Sequence, residues 1–158
     1  SDSARSNCNR SGGYDGNLDT ERHRRKMADI DFCMLATQEA GSSVTSRPMS
    51  NNGDVEYDGD SWFFAYEQSA KIRQIEADDN VTLTFAGAKR LLGAPGVFLS
   101  AEGKAELVRD KAAFDAHYHK ELDRWFPEGT DTPGMILIKV HARKIRYWDG
   151  EDEGTVSV

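Results

Sequence analysis

Strand-like patterns recur along this chain and constrain its fold more than any other feature of the sequence. Val81–Phe85 alternates apolar and polar residues, which is typical of a β-strand with one buried face. Met135–Val140 is an almost unbroken apolar run of strand length and gives the strongest strand signal in the chain. Strand patterns cluster early and late, without a repeating strand–helix–strand order. The sequence therefore predicts a mainly β (α+β) fold, a mostly antiparallel barrel with peripheral helices.

The chain contains about seven predicted strands and three predicted helices. The other strand patterns cover Phe32–Thr37, Val44–Ser50, Trp62–Tyr66, Val97–Val108 and Lys144–Trp148, and a short, weaker pattern covers Val55–Tyr57. Val97–Val108 is either one long strand or a hairpin broken at Gly103. The predicted helices are Asp19–Asp29, Ser69–Asp78 and a segment that begins at Asp110, whose apolar residues Phe114, Tyr118, Leu122 and Trp125 recur at helical spacing.

The length of 158 residues suits one domain with a buried core. Residues 1–17 are rich in Ser, Asn, Gly and Asp and lack periodicity, so they are predicted to form a disordered tail. The folded domain is expected to span residues 18–149. Residues 150–158 are expected to form a loose, acidic C-terminal tail.

Composition disfavours several classes of function. A net charge of −7 and a pI of about 5.1 argue against general nucleic-acid binding, which needs a basic face. No apolar stretch reaches the roughly 20 residues of a membrane helix, and the first residues show no apolar secretory leader. Cys8 and Cys33 do not make a disulfide framework, and Cys33 is expected to be a buried, inert thiol. We therefore expect a cytoplasmic protein with no nucleic-acid or membrane partner.

A candidate anion site follows the aromatic segment Ser61–Tyr66. Ser69, Lys71 and Arg73 lie at the predicted start of a helix, where unpaired backbone N–H groups and the helix dipole favour anions. Upstream, the extended segment Ser46–Met49 supplies a second cation, Arg47. Two cations and hydroxyl groups near an aromatic strand suggest a ligand that has a phosphate and a flat ring.

A plainer interpretation exists for each of these polar residues. Arg47 beside a proline is more often a solvated surface cation. Lys71 and Arg73 can equally be the exposed face of a helix, and Ser69 can be only a helix N-cap.

The aromatic strand also has two interpretations. Trp62, Phe64 and Tyr66 share one face of the strand, and Phe63 and Ala65 share the other. An aromatic stripe of this kind is usually core, although one of its sides can flank a planar cofactor.

The sequence indicates neither a metal site nor a catalytic group. His117 and Glu121 have a spacing that can ligate a metal on a helix, but no HExxH motif or cysteine cluster accompanies them. Neither a phosphate-binding glycine motif nor a nucleophile-elbow context is present. No metal is expected, and the catalytic residues are unknown.

The ordered set of motifs resembles the general stress protein branch of the pyridoxamine 5′-phosphate oxidase-like family. The early motifs are Asp31–Thr37, Ser46–Met49, Asp58–Phe64 and Ser69–Arg73. The later ones are Gly103–Val108, Trp125–Pro127 and Tyr147–Asp149. The resemblance covers roughly residues 19–150, and each motif alone is weak.

The resemblance implies a split β-barrel of the FMN-binding type, a homodimer that holds FMN in clefts between its two subunits. It implies that Arg47 lies near the ribityl or phosphate group and that Ser69 and Lys71 bind the phosphate. The strand 62–64 would lie beside the ring, with two later tryptophans near the pocket. The full set of implied FMN-binding residues is Ser46, Arg47, Pro48, Met49, Trp62, Phe63, Phe64, Ser69, Lys71, Trp125 and Trp148.

We therefore expect an FMN-binding general stress protein that is a flavin-dependent oxidoreductase of unknown substrate and electron donor. The chain lacks the arginine-rich C-terminal segment with which true pyridoxamine phosphate oxidases hold their substrate, which argues against vitamin B6 oxidation. Two alternatives stay open. The protein can bind or sense flavin without catalysis, or the barrel can hold another cofactor, such as a deazaflavin or haem.

Overall fold

The computed structural model describes residues 32–39, 43–50, 59–87, 92 and 96–158. These residues contain seven strands, two α-helices and two 3₁₀ turns. The strands are β1 (Phe32–Gln38), β2 (Val44–Ser50), β3 (Asp60–Tyr66), β4 (Asn80–Ala86), β5 (Phe98–Val108), β6 (Met135–Asp149) and β7 (Asp152–Ser157). The helices are α1 (Ala70–Ala77) and α2 (Lys111–His117), and the 3₁₀ turns are Lys120–Arg124 and Gly129–Asp131.

The seven strands form one antiparallel sheet in the order β2-β1-β4-β5-β6-β3, and β7 also pairs with β6. The 15-residue β6 connects the sheet because it pairs with β5 along one edge and with β3 and then β7 along the other. In the described chain, β2 pairs with β1 alone, so its other edge has no strand partner. The sheet curls into a half-barrel, and the expected split-barrel fold is confirmed.

Two hydrophobic clusters cover opposite faces of the first half of β6. The first cluster fills the barrel interior and includes Ile136, Ile138 and Val140, against which Ile72 and Ile75 of α1 pack. The second cluster covers the opposite face of β3 and β6, beneath α2 and the first 3₁₀ turn. Because both faces of this stretch are buried, its sequence is continuously apolar instead of alternating.

A β-bulge interrupts the long strand β5 between Glu102 and Gly103. A Cβ atom built on Gly103 would lie 2.0 Å from the backbone oxygen of His141, so only glycine fits at this crossing. The segment predicted as one strand or a broken hairpin is therefore one strand with a bulge.

Three predictions from the sequence need correction. The expected loose tail at 150–158 contains β7, which pairs with β6 from Asp149↔Asp152 to Lys144↔Ser157. The predicted helix from Asp110 to Trp125 ends at His117 and continues as a 3₁₀ turn. The strand predicted at Lys144–Trp148 is the second half of β6.

Several other predictions lie outside the described residues. They are the tail 1–17, the helix 19–29, the short strand 55–57 and most of the loop 87–96.

Candidate functional site

The guanidinium group of Arg47 lies between strands β1 and β2 and the helix α1. Its Nη1 donates to the backbone oxygen of Leu35 at 3.1 Å and to Thr37 Oγ1 at 2.7 Å. Its Nη2 donates to Thr45 Oγ1 at 2.7 Å and to Gln74 Oε1 at 3.0 Å. Arg47 is therefore a half-buried, fixed cation and not a freely solvated surface charge.

Lys71 lies in the first turn of α1, close enough to Arg47 for the two charges to repel. Burial lowers the pKa of Lys71, and the positive charge of Arg47 lowers it further. Within the described part of the chain, its ammonium group makes no hydrogen bond or ion pair. Burial likewise lowers the pKa of Arg47, and the charge of Glu39 acts in the opposite direction. The fold thus places two partly desolvated cations near each other, and neither forms an ion pair with a carboxylate of the described residues.

Ser69 occupies the N-cap position of α1, as the sequence predicts, but its side chain does not cap the helix. The hydroxyl group donates to the backbone oxygen of Tyr66 at 2.7 Å. The N–H groups of the first turn therefore receive no side-chain acceptor from Ser69, and they lie on the same turn as Lys71. Arg73 points elsewhere, since it is exposed and donates to the Gln68 carbonyl.

The other residues of the β2 motif lie on two faces of the strand. Met49 is buried in the barrel core, on the same face as Arg47. Ser46 and Pro48 are exposed on the opposite face, and Pro48 pairs with Met34 of β1. The proline lies in an edge strand, where its missing N–H costs little.

An apolar groove of about 430 Å³ runs across the outer face of the sheet beside Pro48. Its walls include the exposed side chains of Phe32, Met34, Phe98 and Trp148. Trp148 pairs directly with Phe98, which brings two large exposed rings together. Contiguous exposed apolar patches of this kind are typical of interaction surfaces.

The aromatic strand β3 is mainly structural. Phe63 is 2% exposed within the barrel core, and Phe64 lies in the second cluster with Phe114 and Phe126. Trp62 is half-buried and stacks on His117, with ring centroids 3.7 Å apart and 15° between the planes.

The two predicted site tryptophans lie on different parts of the molecule. Trp125 is exposed after the first 3₁₀ turn, where its backbone oxygen accepts a hydrogen bond of 2.6 Å from Tyr66 and its ring lies under Arg124. Trp148 lies in the apolar groove. The structure therefore brings together Arg47, Lys71 and the start of α1, and separately Pro48 and Trp148.

Sequence reasoning missed the three polar residues that hold Arg47, namely Thr37, Thr45 and Gln74. Thr37 is 1% exposed, so its hydroxyl is buried within the network. The sequence contains only a weak indication of this network. Gln74 follows Lys71 by three residues, which places both on one face of a helix.

Other chemistry is limited within the described ranges. No group of three or more His, Cys, Asp and Glu side chains there has a geometry that holds a metal. The His117–Glu121 pair does not share a helix turn, because α2 ends at His117. Burial raises the pKa of the Cys33 thiol to about 12, as the interpretation of an inert core cysteine requires.

No helix among the described residues is long and apolar enough to cross a membrane.

The curled antiparallel sheet with a helix over its edge strands defines a protein of the split-barrel class. A family model described as "Pyridoxamine 5′-phosphate oxidase like" matches residues 19–158. The chain therefore belongs to the pyridoxamine 5′-phosphate oxidase-like family, as its motifs predicted. No curated protein sequence matches the chain significantly.

Solved structures support the same fold. A Clostridium acetobutylicum protein related to general stress protein 26 has a TM-score of 0.74 at 13% identity, covering 90% of this chain and 96% of the other. General stress protein 26 from Bacillus anthracis has a TM-score of 0.66 at 21% identity, covering 84% and 93%. A heme binding protein from Mycobacterium smegmatis has a TM-score of 0.71 at 12% identity, covering 87% of this chain and 57% of the other.

Proposed function

We propose that this protein is an FMN-binding homodimer that acts as a flavin-dependent oxidoreductase on a small molecule. The observation that carries the proposal is the pair of partly buried cations, Arg47 and Lys71, at the start of α1. Two like charges in this position destabilise the unliganded protein, and a bound dianion reverses that effect. A phosphate monoester has the matching charge and several acceptor oxygens.

The flavin ring needs an apolar surface next to the phosphate site. Arg47 and Pro48 are consecutive on β2, so their side chains lie on opposite faces of the strand. Arg47 lies on the face of Lys71, and Pro48 lines the apolar groove. The outer edge of β2 also has backbone N–H and C=O groups without a described strand partner. A ligand that crosses this edge can bond its phosphate at one end and bury its ring at the other.

The homodimer is proposed because the groove is too open to enclose a ring by itself. A second copy placed on Phe32, Met34, Phe98 and Trp148 would cover the apolar patch and close the ring site. The site would then lie between subunits, in keeping with the family resemblance.

Bound FMN would supply hydride or electron transfer at its ring. The residues of this chain would bind the phosphate, orient the ring and exclude water. We assign no catalytic residue. A cytoplasmic location is part of the proposal, and a free buried thiol at Cys33 is compatible with a reducing compartment.

Haem is the second candidate cofactor, because one structural neighbour is named as a heme binding protein. The apolar groove can bury a porphyrin, and Arg47 with Lys71 can bind its carboxylates. The absorbance spectrum separates the two candidates, because bound flavin and bound haem absorb in different bands. A colourless protein whose tryptophan fluorescence and melting temperature change with neither compound contradicts both.

The phosphate site is tested by replacing Lys71. We expect Lys71→Gln to weaken FMN by about 1.5–3 kcal/mol, the range for a lost charged hydrogen bond, and to change riboflavin binding little. Isothermal titration with both ligands measures this difference. Arg73→Gln is the matched control, since it removes a cation that is exposed on the same helix.

Two results would overturn this assignment. An equal loss of FMN and riboflavin affinity in Lys71→Gln would place the phosphate elsewhere. An equal effect of Arg73→Gln would show that general charge, and not the Lys71 position, governs affinity.

A further inference from the structure

Gln74 Oε1 is the meeting point of a hydrogen-bond network beneath α1. It accepts from Thr37 Oγ1 at 2.7 Å, from Thr45 Oγ1 at 3.2 Å and from Arg47 Nη2 at 3.0 Å. The direction of these bonds follows from chemistry alone. Arg47 can only donate, so the amide must present its oxygen to the guanidinium. The hydroxyl groups of Thr37 and Thr45 each accept a hydrogen bond from Arg47, so each donates its single proton to Gln74 Oε1.

All the acceptors that fix Arg47 are electrically neutral. They are one backbone carbonyl, two hydroxyl groups and one amide. Among the described residues, no carboxylate lies within ion-pair distance of Arg47; Glu39 acts on it only from farther away. An arginine at such a junction is commonly paired with a carboxylate, which would cancel its charge.

The position of Gln74 adds to this argument. It lies one helical turn after Lys71, so the residue that orients Arg47 and the residue that carries the second cation share one face of α1. A glutamate at position 74 would have nearly the same shape and could accept the same three hydrogen bonds. It would also place a negative charge against both cations.

We propose that Gln74 is a positioning residue that determines the charge selectivity of this site. It fixes Arg47 without neutralising it, so the positive charges of Arg47 and Lys71 are both available to a phosphate dianion. This inference rests on the proposed phosphate site and adds the reason for its selectivity. A ligand that lacks the phosphate gains nothing from a neutral residue at position 74.

The test is Gln74→Glu, compared with wild type by titration with FMN, riboflavin and inorganic phosphate. We expect FMN affinity to fall about tenfold or more and riboflavin affinity to change less than about twofold. Unchanged riboflavin binding also shows that the variant is folded. Ala77→Glu is the matched control, because it adds the same charge at an exposed position of the same helix.

A second variant, Gln74→Met, separates orientation from charge. It keeps the approximate volume and removes the acceptor, so we expect FMN affinity to fall without a new negative charge. Raising the salt concentration should weaken FMN binding less in Gln74→Glu than in Gln74→Met, because the net charge of the site is lower in the glutamate variant.

The outcomes distinguish this inference from the proposed function. Equal effects of Gln74→Glu on FMN and riboflavin, or an equal effect of Ala77→Glu, would overturn the role of Gln74 while flavin binding stands. If wild type binds inorganic phosphate but no flavin, and Gln74→Glu abolishes that binding, the charge role stands and the flavin proposal fails. If wild type binds none of the three ligands, both proposals are wrong.

Discussion

Cys33 and Lys71 show how burial acts on single ionisable residues in this protein. Removing a group from water disfavours its charged form, so burial raises the pKa of the Cys33 thiol and lowers that of the Lys71 amine. The consequences differ because their surroundings differ. Cys33 lies in the apolar core of the barrel, whereas Lys71 lies at a helix start beside another cation. An anion that binds beside Lys71 would favour its charged form and raise its pKa again, whereas Cys33 has no such site.

The high pKa of Cys33, about 12, predicts that stability falls at alkaline pH. The neutral thiol is retained in the folded state, while the unfolded state ionises above its ordinary value of 9.0. The stabilisation is therefore complete below about pH 9 and is lost as pH rises towards 12. Between pH 8 and 10, we expect wild type to lose about 1.4 kcal/mol more than Cys33→Ala.

Urea unfolding at the two pH values measures this difference, in a Cys8→Ser background so that one thiol is followed. An equal pH dependence of the two proteins would show that the thiol already ionises in the folded state.

At the scale of elements, the sequence predicts a strand well when one or both faces of that strand are buried. The alternation of β4 and the continuous apolar run of β6 each follow from their burial. It predicts β7 badly, because this strand is acidic and largely exposed, and its strand form depends on backbone pairing with β6. The apolar spacing after Asp110 also misleads, since Phe114 and Leu122 reach the same cluster across a break in the helix.

The bulge in β5 gives a prediction at this scale. We expect Gly103→Ala to lower the free energy of unfolding by about 1–3 kcal/mol or more, because the new Cβ would collide with the backbone of β6. A backbone atom cannot rotate away from such a collision as a side chain can. Thermal and urea unfolding measure the change.

Glu102→Ala is the control at the neighbouring position. Its carboxylate forms only surface ion pairs with Lys144 and Arg146, at 3.8 and 3.6 Å, and its loss should cost less than about 1 kcal/mol. Equal stabilities of Gly103→Ala and wild type would mean that the two strands can separate at the bulge without cost.

At the scale of the whole molecule, the candidate site combines parts that are distant in sequence. The pairing of Arg47 with Lys71 could be anticipated, because one lies in a motif beside a proline and the other at a helix start. The neutral network around Arg47 could not, because Thr37, Thr45 and Gln74 have no shared motif and meet only when α1 folds over the edge strands. The apolar groove also depends on register, which sets Phe98 beside Trp148.

The proposed dimer gives the prediction at this scale. We expect Phe98→Asp to raise the dissociation constant of the dimer by at least about tenfold, since it places a charge in the middle of the apolar patch. Sedimentation velocity over a range of concentrations measures this change. Leu92→Asp is the control, as it alters a fully exposed leucine that does not line the groove. A wild-type protein that is monomeric at all concentrations would refute the interface.

The central position of β6 has a consequence for the order in which the chain can assemble. Among the described strands, β3 pairs with β6 alone, and the contact between Asp60 and His141 joins residues 81 positions apart. During synthesis, β3 leaves the ribosome long before its partner exists. Until β6 emerges, β3 has no strand partner, so its backbone edge and its apolar side chains stay exposed and we expect this stretch to be prone to aggregation.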